Sequence, residues 1–284
     1  MAQRIAERIS EQVGGRPRPP LRPYVDDYIG YRLAGFEPGV HAGLPSRKLT
    51  FIVSFGAPVD IVAMPDPTQR PARLWSLVGG LHTAPAMIRH EGNQHGVQLG
   101  ITPLGARALF GMPPAELASS VVTMDDVLGP VTTELVDRLA GATHWHERFT
   151  VLDDVLERAI APAPDPSPEL LRAWDQLARS GGTIGVESVA RDVGWSRRHL
   201  SQRFRVEFGH GPKAIARVMR FERARSKLVT PGMTVARVAA ECGYADQAHL
   251  AREWRELAGQ SPTAWLANEH LPFVQDEAVP LASG

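Results

Sequence analysis

A pattern of short apolar helix, glycine break and polar helix is written twice in this chain, about fifty residues apart. The second copy contains "AAECGYADQAHLAREWRELAGQSP", Ala239 to Pro262. Val235, Val238, Ala239 and Cys242 fall at i, i+3, i+4 and i+7, the spacing of one helix face. Val186, Val189, Ala190 and Val193 repeat that spacing 49 residues earlier, ahead of Gly194-Trp195, which matches Gly243-Tyr244. Beyond the break, Leu200, Phe204 and Phe208 answer to Leu250, Trp254 and Ala258 at an offset of 50, so the second turn is one residue longer. Gly209 and Pro212 answer to Gly259 and Pro262, each pair closing one helix and opening the next.

A short apolar helix, a tight turn and a second helix laid across the first form the helix-turn-helix unit, whose second helix enters a DNA major groove. Plain helical hairpins in a bundle would share the apolar pattern, and the outer faces decide between the two. With Leu200 and Phe204 inward, the opposite face carries Arg198, Gln202 and Arg205, flanked by Ser201, with Arg197 at the helix start. With Leu250 and Trp254 inward, Ala248, Arg252 and Arg255 point out, and Gln247 and His249 sit near the N-terminus. Arginine and glutamine suit bidentate contacts to guanine and adenine edges. Ser196 and Asp246 stand where N-caps belong.

Net charge over the 284 residues is zero, which by itself speaks against a polyanion partner. Its distribution reverses that reading. Ser180 to Asn268 holds 14 Lys/Arg and 8 Asp/Glu, so +6, and the remainder is −6. A basic module joined to an acidic one fits nucleic-acid binding by one part only. Between the two units, "PKAIARVMRFERARSKL" (Pro212 to Leu228) places Ile215, Val218, Phe221, Ala224 and Leu228 on one face. Such a helix spans roughly 25 Å, against roughly 34 Å between successive major-groove faces on one side of a duplex. It is long enough to hold two reading heads near that spacing, with some bending of the DNA. Ser196, Lys213 and Arg220 are expected at phosphates, with a solvated charged face as the bland reading and nearby acids as rival partners for Arg220.

The stretch "VESVARDVGWSRRHLSQRFRVEFGHGPKAIARVMRFERARSKL", with "TVARVAAECGYADQAHLAREWRELAGQSPTAWL" after it, resembles the paired helix-turn-helix DNA-binding domain of the AraC/XylS transcription regulators. The resemblance covers about 90 residues. It implies that Arg198, Ser201 and Gln202 read DNA from the first recognition helix. Gln247, Ala248, His249 and Arg252 would read it from the second. Trp254 stands where the family usually has phenylalanine, and Ala248 offers no hydrogen bond. The N-terminal half is loosely similar to the sensor domains that accompany this module, often small β-barrels with helices that bind an effector and dimerise.

That half reads as α+β, mostly β from about residue 20 to 110 and helical to about 160. "LTFIVSFGAPVDIVAM" (Leu49 to Met64) suggests two strands broken at Gly56 and Pro58. Phe149, Leu152, Val155, Leu156 and Ala159 form a helical stripe. The expected division is residues 1–160 as an α+β sensor and dimerisation domain with a small β-barrel-like sheet, and 161–168 as a stiff proline-rich linker, "APAPDPSP". An all-α domain with two helix-turn-helix units joined by a long helix follows at 169–270, then a tail at 271–284.

Cys242 is the only cysteine, which excludes intrachain disulfides and multi-cysteine zinc sites. It holds an apolar helix position, as a small core residue does. His82, His90 and His95 lie close in sequence without a known metal-ligand spacing. No metal and no cofactor is expected. Trp75, His82, His90 and His95 are candidates to line an effector pocket, with ordinary core or surface roles as the favoured reading, and Trp75, Phe51 and Phe55 are expected inside the β region. No nucleophile elbow, phosphate loop or paired-carboxylate motif is present, so no enzyme is expected. The charged N-terminus, "MAQRIAERISEQVGG", lacks a signal-peptide core, and no stretch approaches the ~18 apolar residues of a membrane span. The expectation is therefore a cytoplasmic, sequence-specific transcription activator that binds double-stranded DNA and RNA polymerase, forms a homodimer and senses a small molecule. A regulator that binds a protein partner without a ligand is the alternative.

Overall fold

The computed structural model describes residues 8–268. The tail expected at 271–284 lies outside them. Ten strands come first: β1 (Ile9–Gly15), β2 (Val25–Ala34), β3 (Gly39–Gly43), β4 (Leu49–Ser54), β5 (Val59–Ala63), β6 (Ala72–Leu74), β7 (Ser76–Gly79), β8 (Ala86–His90), β9 (Gln94–Ile101) and, after one helix, β10 (Val121–Thr123). They form a six-stranded sheet, β1-β2-β9-β4-β7-β10, and a four-stranded sheet, β3-β8-β5-β6. This is the β-rich first half anticipated, made of two sheets.

The alternation of strand side chains separates two cores. Phe51, Val53, Val78, Val97 and Leu99 turn to the helices of this half, whereas Ile52 and Leu77, one position away, meet Ile61, Met64 and Ala86 between the sheets. β4 and β5 are two strands, as the Gly56/Pro58 break implies, but they enter different sheets. Strand structure also begins earlier than residue 20 and returns at β10.

The helices of the first half are α1 (Pro103–Phe110), α2 (Met124–Leu128), α3 (Val131–Gly141) and α4 (Trp145–Ala159), with a 3-10 turn at Pro114–Leu117. Phe149, Leu152, Val155 and Leu156 of α4 are buried on the six-stranded sheet, as their spacing requires. The proline segment then runs along α1. Ala161 N–H donates to Ala108 O at 2.9 Å, and Arg107 Nη1 donates to Pro164 O at 3.1 Å.

The second half is helical: α5 (Pro168–Arg179), α6 (Val186–Asp192), α7 (Arg197–Phe208), α8 (Pro212–Leu228), α9 (Val235–Glu241), α10 (Gln247–Ala258) and α11 (Pro262–Asn268). It does not stand apart. Leu200, Phe204, Phe208, Ile215 and Met219 share one continuous core with Leu81, Leu109 and Leu117 of the first half. Ala42 and Leu44, in and just after β3, pack with Phe221, Trp254 and Trp265. Among the described residues no helix is long and apolar enough to cross a membrane.

Candidate nucleic-acid interface

Each repeat folds into the unit its spacing prescribes. Val189, Ala190 and Val193 bury beneath Leu200 and Phe204, and Val238, Ala239 and Cys242 beneath Leu250 and Trp254. Gly194 and Gly243 both take φ of +75°, where a side chain would be strained, and so turn the chain between the two helices. The caps form as placed: His199 N–H donates to Ser196 Oγ at 3.2 Å, and His249 N–H donates to Asp246 Oδ1 at 2.6 Å. Burial pushes the Cys242 thiol up, which keeps it protonated and apolar in character.

The outer faces are open to solvent. Arg197, Arg198, Gln202 and Arg205 are exposed on α7, and Ser201 is half-buried beside them. Gln247, Ala248, Arg252 and Arg255 are exposed on α10. Arg252 has no acidic partner among the described residues, so its donors are available. Lys213 stands exposed at the start of α8.

Two of the expected contacts are engaged within the protein. His249 packs edge-on against Tyr244, accepts from Ala245 N–H at Nδ1 and meets Glu253 through Nε2 at 3.3 Å. Arg220 lies over the Tyr244 ring at 5.0 Å and pairs with Glu253 at 3.2 Å. Glu253 also reaches Arg217 at 3.2 Å. This carboxylate ties α8 to α10 and sets the pitch of the second recognition helix. No sequence spacing pointed to it, because its partners lie 33 and 36 residues away on another helix.

A second link missed in the sequence joins the two halves. Arg107 on α1 meets Glu207 on α7 through Nε and Nη2, each 2.7 Å from one carboxylate oxygen. Nearby, His210 Nε2–H donates to Leu81 O at 2.9 Å. Ser46 Oγ–H donates to Glu222 Oε1 on α8 at 2.7 Å.

The four candidate effector residues do not converge. Trp75 is 55% exposed, outside the β interior where it was expected. Phe51 is buried toward the helices, and Phe55 lies at the margin of that core. His82 is buried in the loop after β7, with its Nδ1 2.6 Å from Ala84 O, and burial holds its pKa down to about 4. His90 pairs with His41 in the four-stranded sheet at 5.4 Å, while His95 lies in the other sheet against Phe55, Trp145 and Arg148. Strand order disperses the three histidines, and among the described residues no group of three or more His, Cys, Asp or Glu side chains could hold a metal ion.

Residues 189–268 match the family model described as a helix-turn-helix domain. The fold of the whole chain is similar to that of ToxT from Vibrio cholerae. An apo ToxT variant of strain SCE256 aligns with a TM-score of 0.53 at 11% identity, covering 86% of this chain and 98% of that one. Wild-type ToxT of the same strain with an unsaturated fatty acid bound gives 0.50 at 9%, covering 94% and 97%. ToxT of strain O395 with (E)-4-(8-methylnaphthalen-1-yl)but-3-enoic acid bound gives 0.50 at 10%, covering 91% and 98%. A search of curated protein sequences finds no match. With two capped recognition helices on one shared helix, the chain is a DNA-binding helix-turn-helix transcription regulator. Residues 189–268 are thus similar to an AraC-type helix-turn-helix domain, as the two motifs imply.

Proposed function

We propose that this chain is an effector-gated transcription activator that works as a homodimer and recruits RNA polymerase at an asymmetric DNA site. Residues 1–160 sense, 161–168 connect and 169–270 read. Base edges are read by Arg198, Ser201 and Gln202 on α7 and by Gln247 and Arg252 on α10. Phosphates are met by Lys213, while Ser196 holds the helix start at the backbone. Arg220 and His249 act through Glu253, by fixing α10 on α8.

The observation that carries the gating is a cleft of about 660 Å³ between the two halves. Asp27 of β2 and Lys48, just before β4, line one wall, and Arg179, Met219, Glu222 and Arg223 line the other. A volume of several hundred Å³ suits a small ligand. Its far wall is α8, which seats both recognition helices, so an occupant shifts the reading heads directly. The acids bound to ToxT suggest the class, a carboxylate with an apolar body, and Arg16 and Arg223 of this cleft suit one, since Lys48 and Arg179 are already paired with Asp26, Asp27 and Asp175.

Duplexes selected from a random pool by the full chain test the reading. The expected result is an asymmetric site of two elements, bound in a salt-dependent manner, whose affinity changes several-fold with oleate. Selection without sequence enrichment overturns the DNA reading. Enrichment with no response to oleate or related acids overturns the gate and favours the partner-binding alternative.

A further inference from the structure

The two recognition helices are joined twice. One link is α8. The other is the loop Gly80 to Pro85, which crosses from β7 in the six-stranded sheet to β8 in the four-stranded one. Gly209 and Gly259 hold the same place in the two repeats, each ending its recognition helix in a left-handed turn, at φ of +75° and +73°. The loop reaches both ends. At the first, His210 Nε2–H donates to Leu81 O at 2.9 Å, and the Leu81 side chain shares a core with Phe204 and Phe208. At the second, a Cβ built on Gly259 would lie 3.7 Å from Pro85 Cγ, so the two are a methyl group apart. Met87, just beyond, packs on the cluster that holds Trp254, Leu257 and Ala258.

The loop is built to be stiff. Loops ordinarily run over the surface, yet no residue from Gly80 to Met87 is exposed. Gly80 N–H donates to Ser120 O at 2.9 Å, and Leu81 O accepts a second bond from Ser119 N–H at 2.8 Å. A Cβ at Gly80 would lie 1.7 Å from Leu117 O, so the backbones are in direct contact there. Ser119 holds φ of +60°, a conformation that persists only where the surroundings impose it. His82 Nδ1, 2.6 Å from Ala84 O, closes the middle of the loop.

Within the second half the two units bury in different cores. Leu200 and Phe204 pack with Ile215 and Met219 of α8, whereas Leu250 and Trp254 pack with Val218 and Phe221. After α8 the chain enters the second unit through Val229, Thr230, Pro231 and Gly232, all exposed. Long helices bend, so a single shared helix leaves the two units some freedom to tilt against each other. A brace between the far ends of α7 and α10 removes it.

We infer that the loop Gly80–Pro85 is a brace that sets the separation of the two recognition helices, and with it the number of base pairs required between the two DNA elements. Leu81 and Pro85 are positioning residues, acting on DNA through His210 and Gly259. Each added base pair moves one element by roughly 3.4 Å along the duplex and about 34° around it, so rigidly held helices accept one spacing. The inference rests on the DNA reading proposed above and is independent of the ligand gate.

The test uses the duplex selected by the full chain, rebuilt with its two elements moved together or apart by one or two base pairs. Affinity is measured at each spacing. The parent chain is expected to lose about ten- to a hundredfold at each altered spacing, the scale of lost base contacts. Two glycines inserted between Thr83 and Ala84 lengthen the brace. His210→Ala releases its first end and leaves no acceptor unpaired, because Leu81 O keeps the Ser119 N–H. Both variants are expected to flatten the spacing profile to within several-fold. Should the insertion not fold, His210→Ala decides alone. A parent profile that is already flat overturns the inference, as does a profile equally sharp in the variants. An equal loss at every spacing assigns the loop to stability alone, and tighter binding at every spacing makes it a lock on the reading heads; either overturns the brace. A parent chain that selects no two-element duplex overturns the DNA reading and the brace with it, whereas a sharp profile that the variants keep overturns the brace alone.

Discussion

Arg107 and Glu207 hold the first recognition helix to the first half through a two-pronged ion pair, both contacts at 2.7 Å and the carboxylate only 7% exposed. The pair sits one residue before the buried Phe208, at the end of α7. It therefore bears on stability and on the attitude of α7 at once. Removing one partner of a buried pair strands the other charge and costs about 3–5 kcal/mol, whereas replacing both with apolar groups is often neutral. Arg107→Met and Glu207→Met are each expected to lower the urea midpoint sharply, and the double variant to recover most of the loss. Purely additive losses across the cycle would show that the pair contributes little beyond packing.

Gly209 closes α7 with φ of +75°, and a Cβ built there would lie 2.1 Å from Ala118 Cβ in the first half. Gly194 has the same φ and nothing within 4 Å. The two glycines therefore separate backbone strain from a clash between halves. Gly194→Ala is expected to cost about 1–2 kcal/mol, the strain of a left-handed residue. Gly209→Ala is expected to cost more and to raise protease sensitivity of the 161–168 segment as the halves part. Equal costs in both variants, with unchanged proteolysis, would refute the clash as the dominant effect.

His82 makes stability fall in acid. Its pKa is near 4 in the folded chain against an ordinary 6.5, first because of burial, with the Ala84 carbonyl opposing and His210 adding to the depression. The folded state binds the proton more weakly than the unfolded one. The contribution of this group is thus whole above pH 6.5, declines as pH falls from 6.5 to 4 and is gone below. A shift of that size corresponds to at most about 3 kcal/mol. His82→Asn keeps a donor for Ala84 O and cannot charge. Its stability, followed by urea unfolding from pH 7 to 4, is expected to fall less steeply than that of the parent chain. Parallel curves would remove His82 as the source.

Arg252 and Lys213 differ in what they are expected to touch. Arg252→Ala is expected to lose about 1–3 kcal/mol on a selected duplex and to relax preference at one base pair. Lys213→Ala is expected to weaken selected and random duplexes alike and to flatten the salt slope by roughly one unit. Fluorescence anisotropy across a salt series on both duplexes distinguishes them. Equal losses for Arg252→Ala on both would assign it to the backbone.

The helix-turn-helix repeat could be read residue by residue because its forces are local. Val189 and Leu200, or Val238 and Leu250, are 11 and 12 residues apart, and helical periodicity, a glycine turn and a capping side chain set their meeting. The apolar stripe of α4 and the strand break at Gly56 and Pro58 were legible for the same reason. What could not be read was which strands become neighbours. β4 and β5 follow each other in the chain and enter different sheets, so His90 and His95 part and Trp75 turns to solvent. Arg107 and Glu207, 100 residues apart, and Phe55 and Arg148, 93 apart, met only through the strand order and the seat of the helices upon it. Periodicity tells a residue which face it occupies. Only the closing of the long loops between elements, decided by how all the apolar faces bury together, determines what that face will touch.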